Sequence, residues 1–208
     1  MQQLTIPLFP LDLVLFPGVP LPLHIFEPRY REMAAECFRA GAPFGVVRAE
    51  RDGLLVLGCT ARIARILHQY PDGRSDILTQ GIECFEIEQL LGDPGDHTRC
   101  LEAVVTLLPD HDTPADRQAR QECVALHFEA MHLLGGDEAG MQFDLDRPVA
   151  YLIAASMPAD FDFRQRLLAE RSDGARTAML IDYYREIFPA LRRGRQIQQP
   201  PSTTGHIM

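Results

Sequence analysis

A stretch of apolar sequence broken by prolines, Ile6 to Tyr30, most restricts what this chain can fold into. It reads IPLFPLDLVLFPGVPLPLHIFEPRY, with prolines at positions 7, 10, 17, 20, 22 and 28. A transmembrane helix needs about 20 uninterrupted apolar residues, and each interior proline costs a helix about 3 kcal/mol. The stretch is therefore neither a membrane span nor a soluble helix. Short apolar runs between prolines instead predict brief strands and tight turns, and Pro28 suits the first turn of a helix.

The charge of the chain and its basic residues exclude several classes of protein. The formal net charge is −9, and phosphate binding rests on positive charge, so the composition argues against a nucleic-acid partner. All 20 basic side chains are arginine. Without lysine the chain cannot form a Walker A loop, a Ser-Lys dyad or a Schiff base. Five cysteines without a CxxC pair, and no secretory signal, favour reduced thiols in the cytoplasm.

Residues 1–109 have the pattern of short strands with one helix. Helical spacing follows Pro28 and ends at Gly41. Strands are predicted at 43–49, 53–59, 77–82, 85–90 and 99–108. The segment 60–70 fits a strand or a helix face, and the turn that follows it favours a hairpin. A slip in alternation near Cys84 predicts a β-bulge or a barrel corner. Because closure removes the sheet edges, we predict a small β-barrel over this region.

The composition changes after residue 109, and four helices are predicted between residues 110 and 193. They follow N-cap residues or prolines that precede apolar residues at helical spacing. Residues 194–208 are polar and contain prolines, so we expect a disordered tail. The predicted fold class is α+β, with an N-terminal β-barrel subdomain over 1–109 and a C-terminal four-helix bundle over 110–193.

Four stretches, in this order, resemble the substrate-binding domain at the N-terminus of Lon proteases, which also occurs as a free-standing protein. The longest is residues 4–33, with the pattern PLFPL…VLFPG…LPLHIFEPRY. The others are LGCTARI at 57–63 followed by PDG, TQGIECFEI at 79–87, and YLIA at 151–154 with RQRLLAE at 164–170. Cys84 stands where the family tends to have a basic residue. The resemblance implies a PUA-like barrel followed by a helical bundle, and polypeptide binding without the ATPase and protease regions of Lon.

Few residues have a spacing that points to catalysis or metal binding. Cys123 and His127 lie four apart on a predicted helix, which can place two metal ligands on one face. Cys123 also falls in the apolar stripe and no second ligand pair is evident, so a packed thiol is favoured over a metal site. Cys59 with His24 or His68 is a conceivable nucleophilic pair, but buried cysteines are far more often structural. No serine lies in GxSxG. From the resemblance, which lacks the ATPase and protease regions, and from the absence of lysine chemistry, we predict neither an enzyme nor a cofactor.

Polypeptide binding needs an exposed apolar surface, and the proline-rich stretch supplies the candidates. They are Leu21, Leu23, Phe26, Arg29 and Tyr30. Alternate members of an apolar run usually face the core, so each residue alone is expected to be buried more often than not. Several exposed together would form a contiguous apolar patch of the kind that binds partners.

These patterns lead to a functional prediction. We predict a cytoplasmic, non-catalytic module that binds unfolded or partner polypeptides, in protein quality control or as an adaptor, and has no membrane partner. The alternative is a PUA-like protein that binds nucleic acid or a small ligand, although the acidic charge weighs against nucleic acid. A third hypothesis is a hydrolase with an undetected cysteine or carboxylate site. We also leave open that the chain forms a homo-oligomer.

Overall fold

The computed structural model describes residues 2–50, 53–93, 95–96, 98–111, 113–136, 142–157 and 159–198, with side chains up to residue 195. Its strands are β1 Gln3–Leu11, β2 Pro20–Ile25, β3 Phe44–Glu50, β4 Gly53–Gln69, β5 Ser75–Leu91 and β6 Glu102–Leu108. Its helices are α1 Pro28–Ala40, α2 Arg117–Leu134, α3 Ala150–Ser156, α4 Phe161–Ala169 and α5 Asp173–Gln198. In these ranges no helix is long and apolar enough to cross a bilayer.

The strands form one mixed sheet in the order β2-β5-β4-β3-β1-β6, and β5 also pairs with β6. β1 runs parallel to β3, and the other pairings are antiparallel. Since β5 pairs with both β4 and β6, five strands form a closed ring in the order β5-β4-β3-β1-β6. β2 pairs with the first half of β5 and lies outside that ring. The predicted small barrel is therefore confirmed only in part, because the ring closes but β2 lies outside it.

Two strands of 17 residues, β4 and β5, stand where shorter strands were predicted. The predicted gap between the strands at 77–82 and 85–90 is absent, and the predicted bulge near Cys84 is confirmed. Cys59 pairs with Cys84 and Ala61 with Gly81, so β5 has one more residue than β4 between these pairs. A Cβ atom on Gly81 would lie 2.2 Å from the carbonyl oxygen of Phe16, so only glycine lets the β1–β2 connection pack this closely.

The helices that follow the sheet differ from the regular bundle that was predicted. α2 and α5 are long and lie side by side, joined by ion pairs from Arg185 to Glu122 at 2.5 Å and from Arg192 to Glu129 at 2.6 Å. α3 has seven residues and α4 has nine, too short to form two full members of a four-helix bundle. The predicted tail was placed too early, since residues 194–198 belong to α5; residues 199–208 lie outside the described residues.

One apolar core runs through the sheet and the helices. Phe16, from the β1–β2 connection, stacks on Tyr151 of α3 with ring centroids 5.4 Å apart. Buried residues of α4 and α5, such as Leu167 and Tyr184, belong to the same cluster as Cys59 of β4. A second cluster consists of side chains from β1, β3, β5 and β6. The division into subdomains at residue 109 stays a prediction, because the strands end before it but the core continues across it.

Buried arginines join the end of the sheet to the helices. Arg176 of α5 is 1% exposed and donates to both carboxylate oxygens of Asp110, at 2.9 and 2.5 Å. It also donates to the hydroxyl of Tyr151 at 2.9 Å and to the carbonyl oxygen of Glu170 at 2.8 Å. Burial raises the pKa of Tyr151, so its phenol stays neutral and accepts these bonds. The connection after β6 is thereby held against α3 and α5.

Candidate functional site

A groove of about 710 Å³ lies at one end of the strand ring. β1, β3 and β5 end here and β4 and β6 begin here, because parallel and antiparallel pairings bring those strand ends together. The corner between β2 and α1 forms one side. We call this the mouth groove, and its lining residues are Phe9, Pro10, Leu11, Leu23, His24, Phe26, Glu27, Arg29, Tyr30, Ala49, Glu50, Gly53, Leu54, Leu90, Asp96 and Leu101. Its volume is in the range of roughly 300–1,000 Å³ that ligand sites occupy.

Two buried aromatic rings form the floor of the mouth groove. Phe9 of β1 and Tyr30 of α1 meet nearly edge to face, with ring centroids 4.3 Å apart. Both side chains are less than a tenth exposed. Burial raises the pKa of Tyr30, although the neighbouring charge of Arg29 opposes this shift. The phenol is therefore neutral at physiological pH, and the floor is apolar and rigid.

Phe26 stands on the rim of the groove and is 58% exposed. β2 ends at Ile25, which is almost fully buried, and α1 begins at Pro28. The two residues between these elements make a tight corner, and the side chain after an inward-facing residue points outward. His24 stacks against this ring with centroids 6.0 Å apart. An exposed phenylalanine beside an apolar groove is the feature of this site that most suggests a binding partner.

Arg29 is held in place at the same corner. Its Nε donates to Oε2 of Glu27 at 3.0 Å, and its Nη2 lies 2.9 Å from that oxygen. The guanidinium carbon sits 4.5 Å from the centroid of the Tyr30 ring, a cation–π arrangement. The side chain therefore forms a fixed polar edge to the groove.

Four of the five sequence-predicted binding residues line the mouth groove, and Leu21 does not. Leu23 is half-buried and reaches the groove from the end of β2. Leu21 lies two residues earlier, packs against the core, and accepts a hydrogen bond from Thr79 at its carbonyl oxygen. Whether any of the five residues binds a ligand stays a prediction.

Sequence reasoning missed the far side of the groove. Leu54 and Leu90 come from the ends of β4 and β5, Leu101 directly precedes β6, and each is half-buried. They are spread over 47 positions of sequence and carry no motif. A leucine at a strand end is an ordinary pattern, and only the closure of the ring by β5–β6 pairing brings these three together.

Among the described residues that line the groove, carboxylates outnumber arginines. They are Glu27, Glu50 and Asp96, beside Arg29. Glu50 also lies 3.2 Å from the guanidinium of Arg48, which is outside the lining. An acidic rim repels phosphate groups, so the groove is poorly suited to nucleic acid.

A polar cluster adjoins the groove at His24. The Nδ1 atom of His24 lies 2.6 Å from a carboxylate oxygen of Asp76, and the Tyr70 hydroxyl donates to the other oxygen at 2.9 Å. Hydrogen bonds from His24 and Tyr70 lower the pKa of Asp76. His68 packs edge to face against Tyr70, with centroids 4.4 Å apart. The cluster ties β2 to the β4–β5 hairpin, and among the described residues no three His, Cys, Asp or Glu side chains are placed to hold a metal ion.

The other candidate residues are buried in the core. His127 is fully buried, with Nδ1 2.7 Å from the Tyr184 hydroxyl and Nε2 3.3 Å from the Ser156 hydroxyl. Burial raises the pKa of Cys123 to about 12, so its thiol packs as a neutral apolar group. Burial likewise raises the pKa of the fully buried Cys59 thiol, which makes a thiolate nucleophile there unfavourable.

Comparison with known proteins gives a consistent family assignment. The sequence profile of the ATP-dependent protease La (LON) substrate-binding domain matches residues 5–185. The Lon protease of Parabacteroides distasonis is 34% identical over 137 residues, which are 61% of this chain and 15% of that protease. The Lon protease of Amoebophilus asiaticus is 22% identical over 207 residues, 91% of this chain and 24% of that protease. The chain thus spans a quarter or less of the length of these relatives.

Solved structures agree with this assignment. The crystal structure of a Lon N-terminal domain protein from Xanthomonas campestris superposes with a TM-score of 0.68 at 25% identity, covering 86% of this chain and 98% of that one. The N-terminal domain of the Mycobacterium avium complex Lon protease has the same fold, with a TM-score of 0.62 at 17% identity, covering 88% of this chain and 98% of that one. The chain belongs to the Lon substrate-binding domain family.

Proposed function

We propose that this chain binds polypeptide segments in the mouth groove and has no catalytic activity of its own. The observation that carries the proposal is the exposed ring of Phe26 beside a rigid apolar floor. Membership of the Lon substrate-binding domain family supports a substrate-recognition role. We place that role in protein quality control, or in delivering partners as an adaptor.

The groove suits the capture of side chains from an unfolded segment. Phe9 and Tyr30 form its floor, Phe26 forms its rim, and leucines form its far side. One or two apolar side chains of a bound polypeptide can therefore be buried there. Burying each such side chain contributes roughly 1.5–3 kcal/mol before the cost of ordering the segment. Even two such side chains contribute no more than about 6 kcal/mol before that cost, so we expect a dissociation constant no tighter than roughly 50 μM. Weak and reversible binding of this kind is what sampling of many unfolded chains requires.

Backbone pairing at the open edge of the sheet is a poor alternative to this mode. β2 is an edge strand of six residues, and two of them, Pro20 and Pro22, have no N–H to donate. Prolines at an edge obstruct the addition of another strand. Recognition through side chains in the groove is therefore favoured over β-strand addition, and it tolerates varied client sequences.

The competing hypothesis is a PUA-like protein that binds nucleic acid or a small ligand. The acidic rim disfavours nucleic acid, and the volume of the groove is compatible with a small ligand. Competition separates these hypotheses. An unfolded polypeptide should occupy the groove at near-physiological salt, and a single-stranded RNA should not displace it.

The direct test is binding of a fluorescently labelled, permanently unfolded polypeptide, followed by anisotropy. Phe26→Ser should weaken binding about tenfold, because the rim loses its aromatic contact. Val56→Ser is the matched control, since Val56 is also 58% exposed but does not line the groove. Equal affinities of the two variants would contradict the proposed site. Absence of saturable binding by the unmodified chain would contradict the function itself, and cleavage of the labelled polypeptide would contradict a non-catalytic role.

A further inference from the structure

A second groove, of about 550 Å³, lies between α1 and the hairpin formed by β4 and β5. We call it the helix–hairpin groove. The residues that matter for its chemistry are Arg31, Phe38 and Arg39 from α1, and Ile63, Ile66 and Ile77 from the hairpin. It shares no lining residue with the mouth groove, so the two sites can be tested separately.

The apolar surface of this groove depends on an irregularity in β4. Ile63 pairs with Thr79, and Ile66 pairs with Ile77. Ile63 and Ile66 are three positions apart in β4, whereas Ile77 and Thr79 are only two positions apart in β5. The extra residue in β4 keeps both isoleucines on the face that meets α1. Ile63 and Ile77 are buried, while Ile66 is 41% and Phe38 is 47% exposed. Two large apolar side chains therefore stand open to solvent on facing walls.

Among the described residues that line this groove, the charged side chains are all positive. They are Arg31 and Arg39, in a chain with 29 acidic and 20 basic residues. Arg31 donates to the backbone carbonyl oxygen of Asp72 at 2.7 Å, whereas the carboxylate of Asp72 pairs with Arg74. Within the described residues, no carboxylate forms an ion pair with Arg31 or Arg39. An apolar cleft edged by two unneutralised guanidinium groups is complementary to an acidic, apolar ligand.

We propose that the helix–hairpin groove binds a polypeptide segment in which apolar residues lie between two acidic residues. An apolar side chain of the segment inserts between Phe38 and Ile66, and its carboxylates pair with Arg31 and Arg39. The two arginines are eight residues apart on α1, which corresponds to about 12 Å along the helix axis. An extended segment advances about 3.3 Å per residue, so acidic residues about four positions apart match this spacing.

The test uses two labelled synthetic peptides that differ only in charge. One carries Glu at two positions four apart with Leu and Phe between them, and the other carries Lys at those two positions. The Glu peptide should bind the full chain more tightly, and its advantage should shrink as salt is raised from 50 to 500 mM, because screening weakens exposed ion pairs. Arg39→Glu should weaken the Glu peptide about fivefold and strengthen the Lys peptide.

A matched pair of surface variants tests the apolar contact. Ile66→Ser should weaken the Glu peptide about tenfold. Leu152→Ser should leave its affinity unchanged, because Leu152 on α3 is also 41% exposed but is not part of the groove. Far-UV circular dichroism and the urea midpoint establish that each variant folds.

Three outcomes would overturn the inference. Equal affinity for the Glu and Lys peptides would remove the role of the arginines. Loss of binding in Phe26→Ser with retention in Ile66→Ser would assign the peptide to the mouth groove. Binding of vesicles containing anionic lipid, lost in Arg39→Glu, with no binding of the Glu peptide, would assign the surface to a membrane. The charged peptides and the Arg39→Glu and Ile66→Ser variants are not part of the test of the mouth groove, so a negative result with them leaves the proposed function standing.

Discussion

The buried guanidinium of Arg176 should contribute strongly to the stability of the whole chain. Arg176→Met keeps an apolar stem of similar length but removes the donors to Asp110, Tyr151 and Glu170. Removing one partner of a buried ion pair costs about 3–5 kcal/mol. The carboxylate of Asp110 is 40% exposed and Arg171 approaches it at 3.8 Å, so water and a second cation compensate in part. We therefore expect the free energy of unfolding to fall by about 3 kcal/mol.

The assay is urea unfolding followed by circular dichroism, with a matched substitution on the same helix. Arg192→Met removes an ion pair with Glu129 in which both side chains are well exposed, so it should cost less than about 1 kcal/mol. For a chain of this length, a loss of 3 kcal/mol lowers the melting temperature by roughly 6–12 °C. Both parts of the chain should unfold in one transition, because one apolar core runs through sheet and helices.

A double-mutant cycle makes this reasoning refutable. If the ion pair carries the effect, Arg176→Met and Asp110→Asn together should cost about 1–2 kcal/mol less than the sum of the single substitutions. Additive losses would mean that the ion pair with Asp110 does not carry the effect of Arg176. Equal losses for Arg176→Met and Arg192→Met would refute the distinction between a buried and an exposed pair. Two separate unfolding transitions would contradict the shared core.

Three further predictions follow from individual contacts. Gly81→Ala should lose about 3 kcal/mol in urea unfolding because its Cβ would meet the Phe16 carbonyl oxygen, whereas Gly194→Ala, in α5 with open space around it, should lose nothing. The pKa of Asp76 is lowered on folding, so its carboxylate stabilises the fold above the unfolded pKa of about 3.9, and this contribution is lost as pH falls through the lower folded value. The stability difference between wild type and Asp76→Asn should accordingly shrink below pH 4, and a pH-independent difference would contradict it. Burial raises the pKa of Cys123 to about 12, so an aromatic disulfide reagent at pH 8 should modify it only when urea unfolds the chain; rapid modification of the native protein would show that the thiol is accessible.

Sequence patterns predicted the elements better than their connections. The helix after Pro28 begins and ends as predicted, with Gly41 in the left-handed conformation at its C-terminus. The ambiguity of segment 60–70 has a physical cause. Register shifts between Ile63 and Arg65 and between Ile66 and His68 add residues to β4, so its inward side chains recur at three as well as two positions. Such spacing resembles a helical stripe, and a strand with bulges cannot be distinguished from a helix by periodicity alone.

Sequence patterns also identified only one side of the mouth groove. Leu23, Phe26, Arg29 and Tyr30 lie within eight positions at one corner, where prolines and the start of α1 set the direction of each side chain. The opposite wall is assembled from strand ends that meet only because β5 pairs with β4 along one half and β6 along the other. The local half carries the exposed Phe26 and the fixed cation, and the distant half supplies apolar area and two carboxylates. Under the proposed function, substitutions at the corner should therefore change which polypeptides bind, whereas substitutions at the strand ends should change how tightly all of them bind.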